Sequence, residues 1–168
     1  MNVNAFAVST LEQAREHTVA AVEGLTGEEM LFQPKAGMNH ALWLLGHIAE
    51  SENGLLLGFC KGANLLPVGW HEKFGIGSKP VADRAKYPSR EEVLKLMEKV
   101  HAAAIEYVRS LSPEDLDRRP AGIDRLPERA QALFATIGKC IYQHALHESS
   151  HAGQIATLRR FLGRPPRV

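Results

Sequence analysis

The sequence predicts an all-α protein built as a four-helix bundle, and three observations predict it. Four segments repeat apolar residues at three- and four-residue spacing, each long enough for about 20 to 35 residues of helix. Start and stop signals bound those segments. No stretch alternates apolar and polar residues with the period of two that a strand requires. Helices with one apolar stripe bury it against one another, and four of this length form a single bundle core. The chain of 168 residues shows no repeat, linker or low-complexity segment, so residues 1–168 read as one domain.

The first helix is expected over residues 5–25, where Val8, Leu11, Thr18, Val22 and Leu25 share a stripe that Arg15 interrupts. Thr26 and Glu29 then read as a capping box opening a short turn before Pro34. Asn39 is the expected N-cap of the second helix. That helix carries Leu42, Trp43, Leu45, Gly46, His47, Ala49 and Glu50 and stops near Lys61 and Gly62. A long loop over residues 62–88 follows, rich in glycine and proline and holding Trp70 and Phe74. Loops of that length often cover or build binding sites. Ser89 and Glu92 cap the third helix, whose stripe is Val93, Leu96, Val100, Ala103, Tyr107 and Leu111. Ser112 and Pro113 open another short helix. The fourth long helix is expected over residues 128–162, with Gly163 as its stop.

Twenty basic against nineteen acidic residues leave a formal charge of +1, which provides no electrostatic footprint for nucleic acid. Two cysteines, Cys60 and Cys140, are too few for a disulfide framework. The first ten residues lack the basic and apolar regions of a signal peptide. No apolar run approaches the ~20 residues of a membrane span. The expectation is a cytoplasmic protein that acts on a small molecule and engages neither membrane nor nucleic acid.

The chemistry lies in the last helix. His144, His147 and His151 fall within roughly 60° of one another on a helical wheel. Ile137, Cys140, Ile141, Ile155, Leu158 and Leu162 share much of that side. A single histidine on an apolar face is more often a satisfied core residue, but a buried imidazole needs partners for both ring nitrogens. One metal ion would serve several imidazoles at once. His147 and His151, at i and i+4, can turn toward one ion, as H-x-x-x-H sites do. His144 and His151 are about 10 Å apart along the axis, so the three cannot easily share it. His47, on the seam of the second helix beside Gly46, is the best third ligand. Three imidazoles with an open position suit zinc, and also nickel or iron(II).

Cys140, one turn before His144, is a rival ligand or a small buried hydrophobe, and Cys60 reads as the latter. Glu50, at i+3 from His47, is placed to orient an imidazole or act as a base. Glu148 points about 100° off the His147/His151 face. Gln154, at i+3 from His151, is a candidate packing or hydrogen-bonding neighbour. His17, His40, His71 and His101 read as surface or helix-end residues.

These residues resemble a known family. Trp43-Leu-Leu-Gly-His47-Ile-Ala-Glu50 on the second helix is similar to the DinB-like superfamily, also described as YfiT-like metal-dependent hydrolases. So are His147-Glu-Ser-Ser-His151-Ala-Gly-Gln-Ile155 and Leu158-Arg-Arg160-Phe-Leu-Gly163 on the last. Tyr87-Pro-Ser89 and Leu111-Ser-Pro-Glu-Asp115 fit the same pattern. The resemblance implies an up-down-down-up four-helix bundle with a long crossover, and a homodimer. It implies a divalent metal, zinc or nickel, held by His47, His147 and His151. Its thiol-dependent members imply a low-molecular-weight thiol as cosubstrate.

Three functions follow as expectations. The first is a metal-dependent S-transferase in which the metal lowers the pKa of a thiol, with the 62–88 loop covering the substrate. The second is a hydrolase whose nucleophile is a metal-bound water, with Glu50 as base. The third is a metal-stabilised binding or dimerisation module without catalysis, its site closed by His144 or Cys140.

Overall fold

The structure is a computed structural model that describes residues 2–165 and residue 167. Helix α1 spans Val3–Val22, with the Asn2 side chain accepting from the Ala5 amide as its cap. Helix α2 spans Ala41–Glu52 and continues as a π-helical stretch, Asn53–Lys61, that ends on left-handed Gly62. Helix α3, Trp70–Phe74, is a short turn inside the expected loop. Helix α4 spans Arg90–Ser110 and starts with the Ser89/Glu92 capping box read from the sequence. Helix α5 is the single turn Glu128–Gln131, and helix α6 spans Ile137–Phe161. Among the described residues no strand forms.

Three expectations need correction. The last helix begins at Ile137 rather than at 128, because Thr136 is extended and its hydroxyl accepts from the Lys139 amide. Glu128–Gln131 is a separate turn after Pro127. The cap of α2 is His40, whose Nδ1 accepts from the Trp43 amide, and not Asn39. The 62–88 segment is not structureless: Trp70 and Phe74 of α3 are buried in the core, and a further 3-10 turn forms at Arg84–Lys86. The turn at Thr26/Glu29 holds both bonds of its capping box, at 2.8 and 3.2 Å.

Four long helices make the bundle, and side-chain pairs give their directions. Arg15 meets Glu148, and Arg159 reaches the carbonyls of Ala21 and Glu23, so α1 and α6 run parallel. His47 faces His147 and His151 while Glu52 faces His144, so α2 and α6 are antiparallel. Arg15 also binds the Met97 carbonyl, while Asn4 reaches that of Leu111, so α1 and α4 are antiparallel. These pairings fit an up-down-down-up course with a long crossover between α2 and α4.

The core is divided. One apolar cluster gathers Leu42, Leu45, Ile48, Phe74, Met97 and Ile155. A second gathers Leu11, Leu56, Leu57, Val100, Ile137 and Ile141. Along every helix of the bundle the layer between them is polar, with an ion-pair network at its centre: Arg15, Glu52, His101, His144 and Glu148. Among the described residues, no helix is long and apolar enough to cross a membrane.

Candidate metal centre

Helix pairing brings His47 of α2 against His147 and His151 of α6. His47 Nε2 lies 3.2 Å from His147 Nε2, and His151 Nε2 lies 3.0 Å from the same atom. His47 and His151 are buried and His147 is half-buried. Two of the three rings are steered from behind. His47 Nδ1 donates to the Phe74 carbonyl at 2.8 Å, and the Trp43 indole stacks on the His47 ring with centroids 4.7 Å apart. His151 Nδ1 donates to Gln154 Oε1 at 3.2 Å.

Those outer bonds decide what the inner nitrogens are. A carbonyl and an amide oxygen only accept, so Nδ1 carries the proton on His47 and on His151. Both Nε2 atoms are then bare lone pairs aimed at His147 Nε2. That atom has at most one proton to offer to the two of them. Lone pairs converging without enough donors are what a bound cation satisfies, so the three residues fit a divalent metal with imidazole ligands. Burial and the neighbouring imidazoles of His151 and His47 push the His147 pKa down to about 3. Burial lowers that of His151 as well, partly offset by Gln154. Both rings are therefore neutral near pH 7, the form that ligates.

Helix α3 props up the site. Trp70 Nε1 donates to the Gly46 carbonyl at 3.1 Å, and Trp43 Nε1 donates to the Lys73 carbonyl at 3.0 Å. A Cβ on Gly46 would stand 2.2 Å from the Phe74 ring, so glycine is what allows α3 to approach α2. Glu50 sits on the same side, but its carboxylate accepts from His71 Nδ1 of α3 at 2.8 Å. Neither Glu50 nor Cys140 belongs to the three-nitrogen group.

His144 is elsewhere. Its Nε2 lies 3.3 Å from Glu148 Oε2 and 3.6 Å from Glu52 Oε1, in the charged layer. Donor atoms of Glu52, His144 and Glu148 lie within 4.8 Å of one another, which is close enough for a second metal. Arg15 fills that role instead: its guanidinium binds Glu52 and Glu148, each at 2.7 Å. Burial alone would raise the Glu148 pKa, but the nearby His144 imidazole and the Arg15 charge outweigh it and hold the carboxyl well below the usual range. For Glu52, burial likewise loses to Arg15 and His101. His101 is half-buried, with Nδ1 donating to Glu52 Oε1 at 2.8 Å, so it is not a surface residue as the sequence suggested. His40 is fully buried as well as a helix cap.

Sequence reasoning thus found the three converging imidazoles, Gln154 and the exclusion of His144 from their group. It missed Phe74, which acts through a backbone carbonyl and has no signature in side-chain type. It also missed the ion layer, whose signal was present in Arg15 breaking the apolar stripe of α1 and Glu52 ending the apolar run of α2.

Over residues 10–155 the chain matches the DinB superfamily. The chain belongs to that superfamily. Among solved structures, it is similar to one titled "Crystal structure of the conserved protein of locus from Enterococcus faecalis". The two share 18% identity and a TM-score of 0.65, over 98% of this chain and 99% of that one. At that identity the likeness concerns the fold. No curated protein matches the sequence. A DinB-superfamily bundle with this three-histidine group could hold a metal ion.

Proposed function

We propose that this protein holds one divalent metal ion, zinc or nickel with iron(II) also accepted, on His47, His147 and His151. We further propose that it is an S-transferase acting on a low-molecular-weight thiol and a small electrophile. The observation that carries the reading is the convergence of three imidazole nitrogens, two of them fixed as lone-pair donors by Phe74 and Gln154. When bound, the ion supplies the charge that lowers the pKa of an incoming thiol toward neutrality.

The chain's own residues do the rest. Phe74 and Gln154 hold the ligand tautomers, and Trp43 keeps the His47 ring from rotating. Three protein ligands would leave a bound ion open to the thiol sulfur. Beside the site, Gln154 also lines a groove of about 450 Å³ with Met38, Asn39, Thr157, Leu158 and Phe161, which offers room for the electrophile. Because Trp70 and Phe74 are core residues that brace His47, this groove takes the covering role expected of the 62–88 loop. Among the described residues no carboxylate shares the three-nitrogen group, and Glu50 is engaged by His71. This favours a nucleophile that needs no adjacent protein base over a water that does.

The test uses cobalt(II)-loaded protein titrated with cysteine and then given 1-chloro-2,4-dinitrobenzene. The reading predicts a sulfur-to-metal charge-transfer band and consumption of thiol, both lost in His47→Ala. Absence of the band with no rate above the metal-free protein overturns it. Ester or amide turnover without any thiol transfers the site to the hydrolase reading.

A further inference from the structure

The groove beside the histidine group has a selective lining. Met38, Leu158 and Phe161 supply apolar walls, and Asn39, Gln154 and Thr157 supply its polar groups. Among the described residues no charged side chain lines it. Met38 and Phe161 are 46% and 63% exposed, so a ligand in the groove covers apolar surface that water otherwise touches. A thioether and a phenyl ring suit a flat, polarisable partner. Two amides mark the polar part. Asn39 is left to line the groove because His40 caps α2 in its place. Gln154 turns its Oε1 to His151 Nδ1, so the group it offers the groove is its Nε2 donor. Thr157 donates its hydroxyl proton to the Gly153 carbonyl at 3.0 Å and adds no donor of its own.

We infer that this groove takes an uncharged, flat electrophile whose nitro or carbonyl oxygen is read by the amides of Gln154 and Asn39. The inference rests on the reading that the groove receives the electrophile. The lining argues against charge: a carboxylate or ammonium group leaving water here meets no ion to pair with. The donors argue for an acceptor: Gln154 brings N–H groups, Asn39 brings an amide, and an acceptor oxygen on the ligand is what both can bind. A groove built to donate to such an oxygen discriminates against an analogue that lacks it. Gln154 also ties ligand selection to the histidines. The same side chain holds His151, three residues before it, through Oε1 and meets the ligand through Nε2. The acceptor oxygen is thereby placed at a fixed register from a ligand-type imidazole on one rigid helix.

The experiment titrates the zinc-loaded protein with 1,3-dinitrobenzene, which carries acceptors but no leaving group, and follows backbone and side-chain amide signals by NMR. The comparison ligands are 3,5-dinitrobenzoate, which adds a charge, and 1,3-dimethylbenzene, which lacks acceptors. Expected are shifts confined to the groove, including the side-chain amides of Asn39 and Gln154, and binding of the benzoate about tenfold weaker. Gln154→Glu keeps an oxygen toward His151 and removes the donor, while Asn39→Leu leaves His151 untouched. Each should weaken 1,3-dinitrobenzene about three- to tenfold, leave 1,3-dimethylbenzene unchanged and keep the zinc content of the wild type. Equal losses for both ligands, equal binding of the benzoate, or shifts away from the groove overturn the inference. The probe does not react, so this outcome is separate from turnover. Selective binding without thiol consumption in the cobalt assay removes the S-transferase reading and upholds the ligand class. Thiol consumption without selective binding overturns the ligand class alone.

Discussion

His47 Nδ1 donates to the carbonyl of Phe74, 2.8 Å away and on another helix. The orientation of a ligand-type imidazole on α2 therefore depends on where α3 stands, and α3 stands close only because residue 46 lacks a side chain. Gly46→Ala places a methyl 2.2 Å from the Phe74 ring. Overpacking of this kind costs about 1–3 kcal/mol, read by urea unfolding. Because α3 must shift, the His47 ring loses its outer partner, and metal affinity should fall on the order of tenfold in a chelator competition. Unchanged affinity at reduced stability would separate Phe74 from the site.

Arg15 carries the second prediction. Its guanidinium is the cation between Glu52 and Glu148, in a layer with apolar clusters above and below. Burial works against the charge, yet the two carboxylates win and raise the Arg15 pKa further above its ordinary value. Arg15→Met leaves two buried carboxylates without it and should cost about 3–5 kcal/mol in denaturant unfolding. Arg15→Met combined with Glu52→Gln and Glu148→Gln should recover most of that loss. A single-variant cost under about 1 kcal/mol would mean that water, not Arg15, carries the layer.

The third prediction concerns pH and the metal-free protein. Burial pushes the His40 pKa down to about 4 from 6.5, against the pull of the Val81 and Met30 carbonyls. The fold therefore holds His40 neutral, with Nδ1 accepting from the Trp43 amide. As pH falls below 6.5 the unfolded chain takes up the proton first. The stabilisation is complete above pH 6.5, is lost progressively down to about 4, and amounts to about 3 kcal/mol. His147, pushed down to about 3, acts in the same direction. His40→Asn keeps a good N-cap without the titration, so its stability should decline less across this window in pH-stepped urea unfolding. An identical decline would remove His40 as a source of acid sensitivity.

Much of this was legible in sequence because it depends on spacing along a helix. The i and i+4 relation of His147 and His151, the Ser89/Glu92 box and the Gly62 stop are local, and all appear in the structure. What was not legible depends on contacts across the chain. Whether Glu50 faces the imidazoles or His71 is decided by α3, twenty residues on. His101 looks like an ordinary helix residue, and His144 like a spare metal ligand, until Glu52 from another helix is packed against them. The start of α6 was misplaced because residues 128–136 carry no helix breaker, and the Thr136 cap competes with an earlier start only through its tertiary setting, where the Ile137 amide reaches the Arg118 carbonyl at 2.9 Å.

If His47, His147 and His151 are one metal site, elemental analysis of the purified protein should find about one zinc, nickel or iron per chain, since Arg15 already fills the second group of ligand atoms. A His147→Ala/His151→Ala variant, shown by circular dichroism to keep its helices, should hold none. A wild-type protein that stays metal-free after reconstitution, or a variant that keeps its metal, would contradict that assignment.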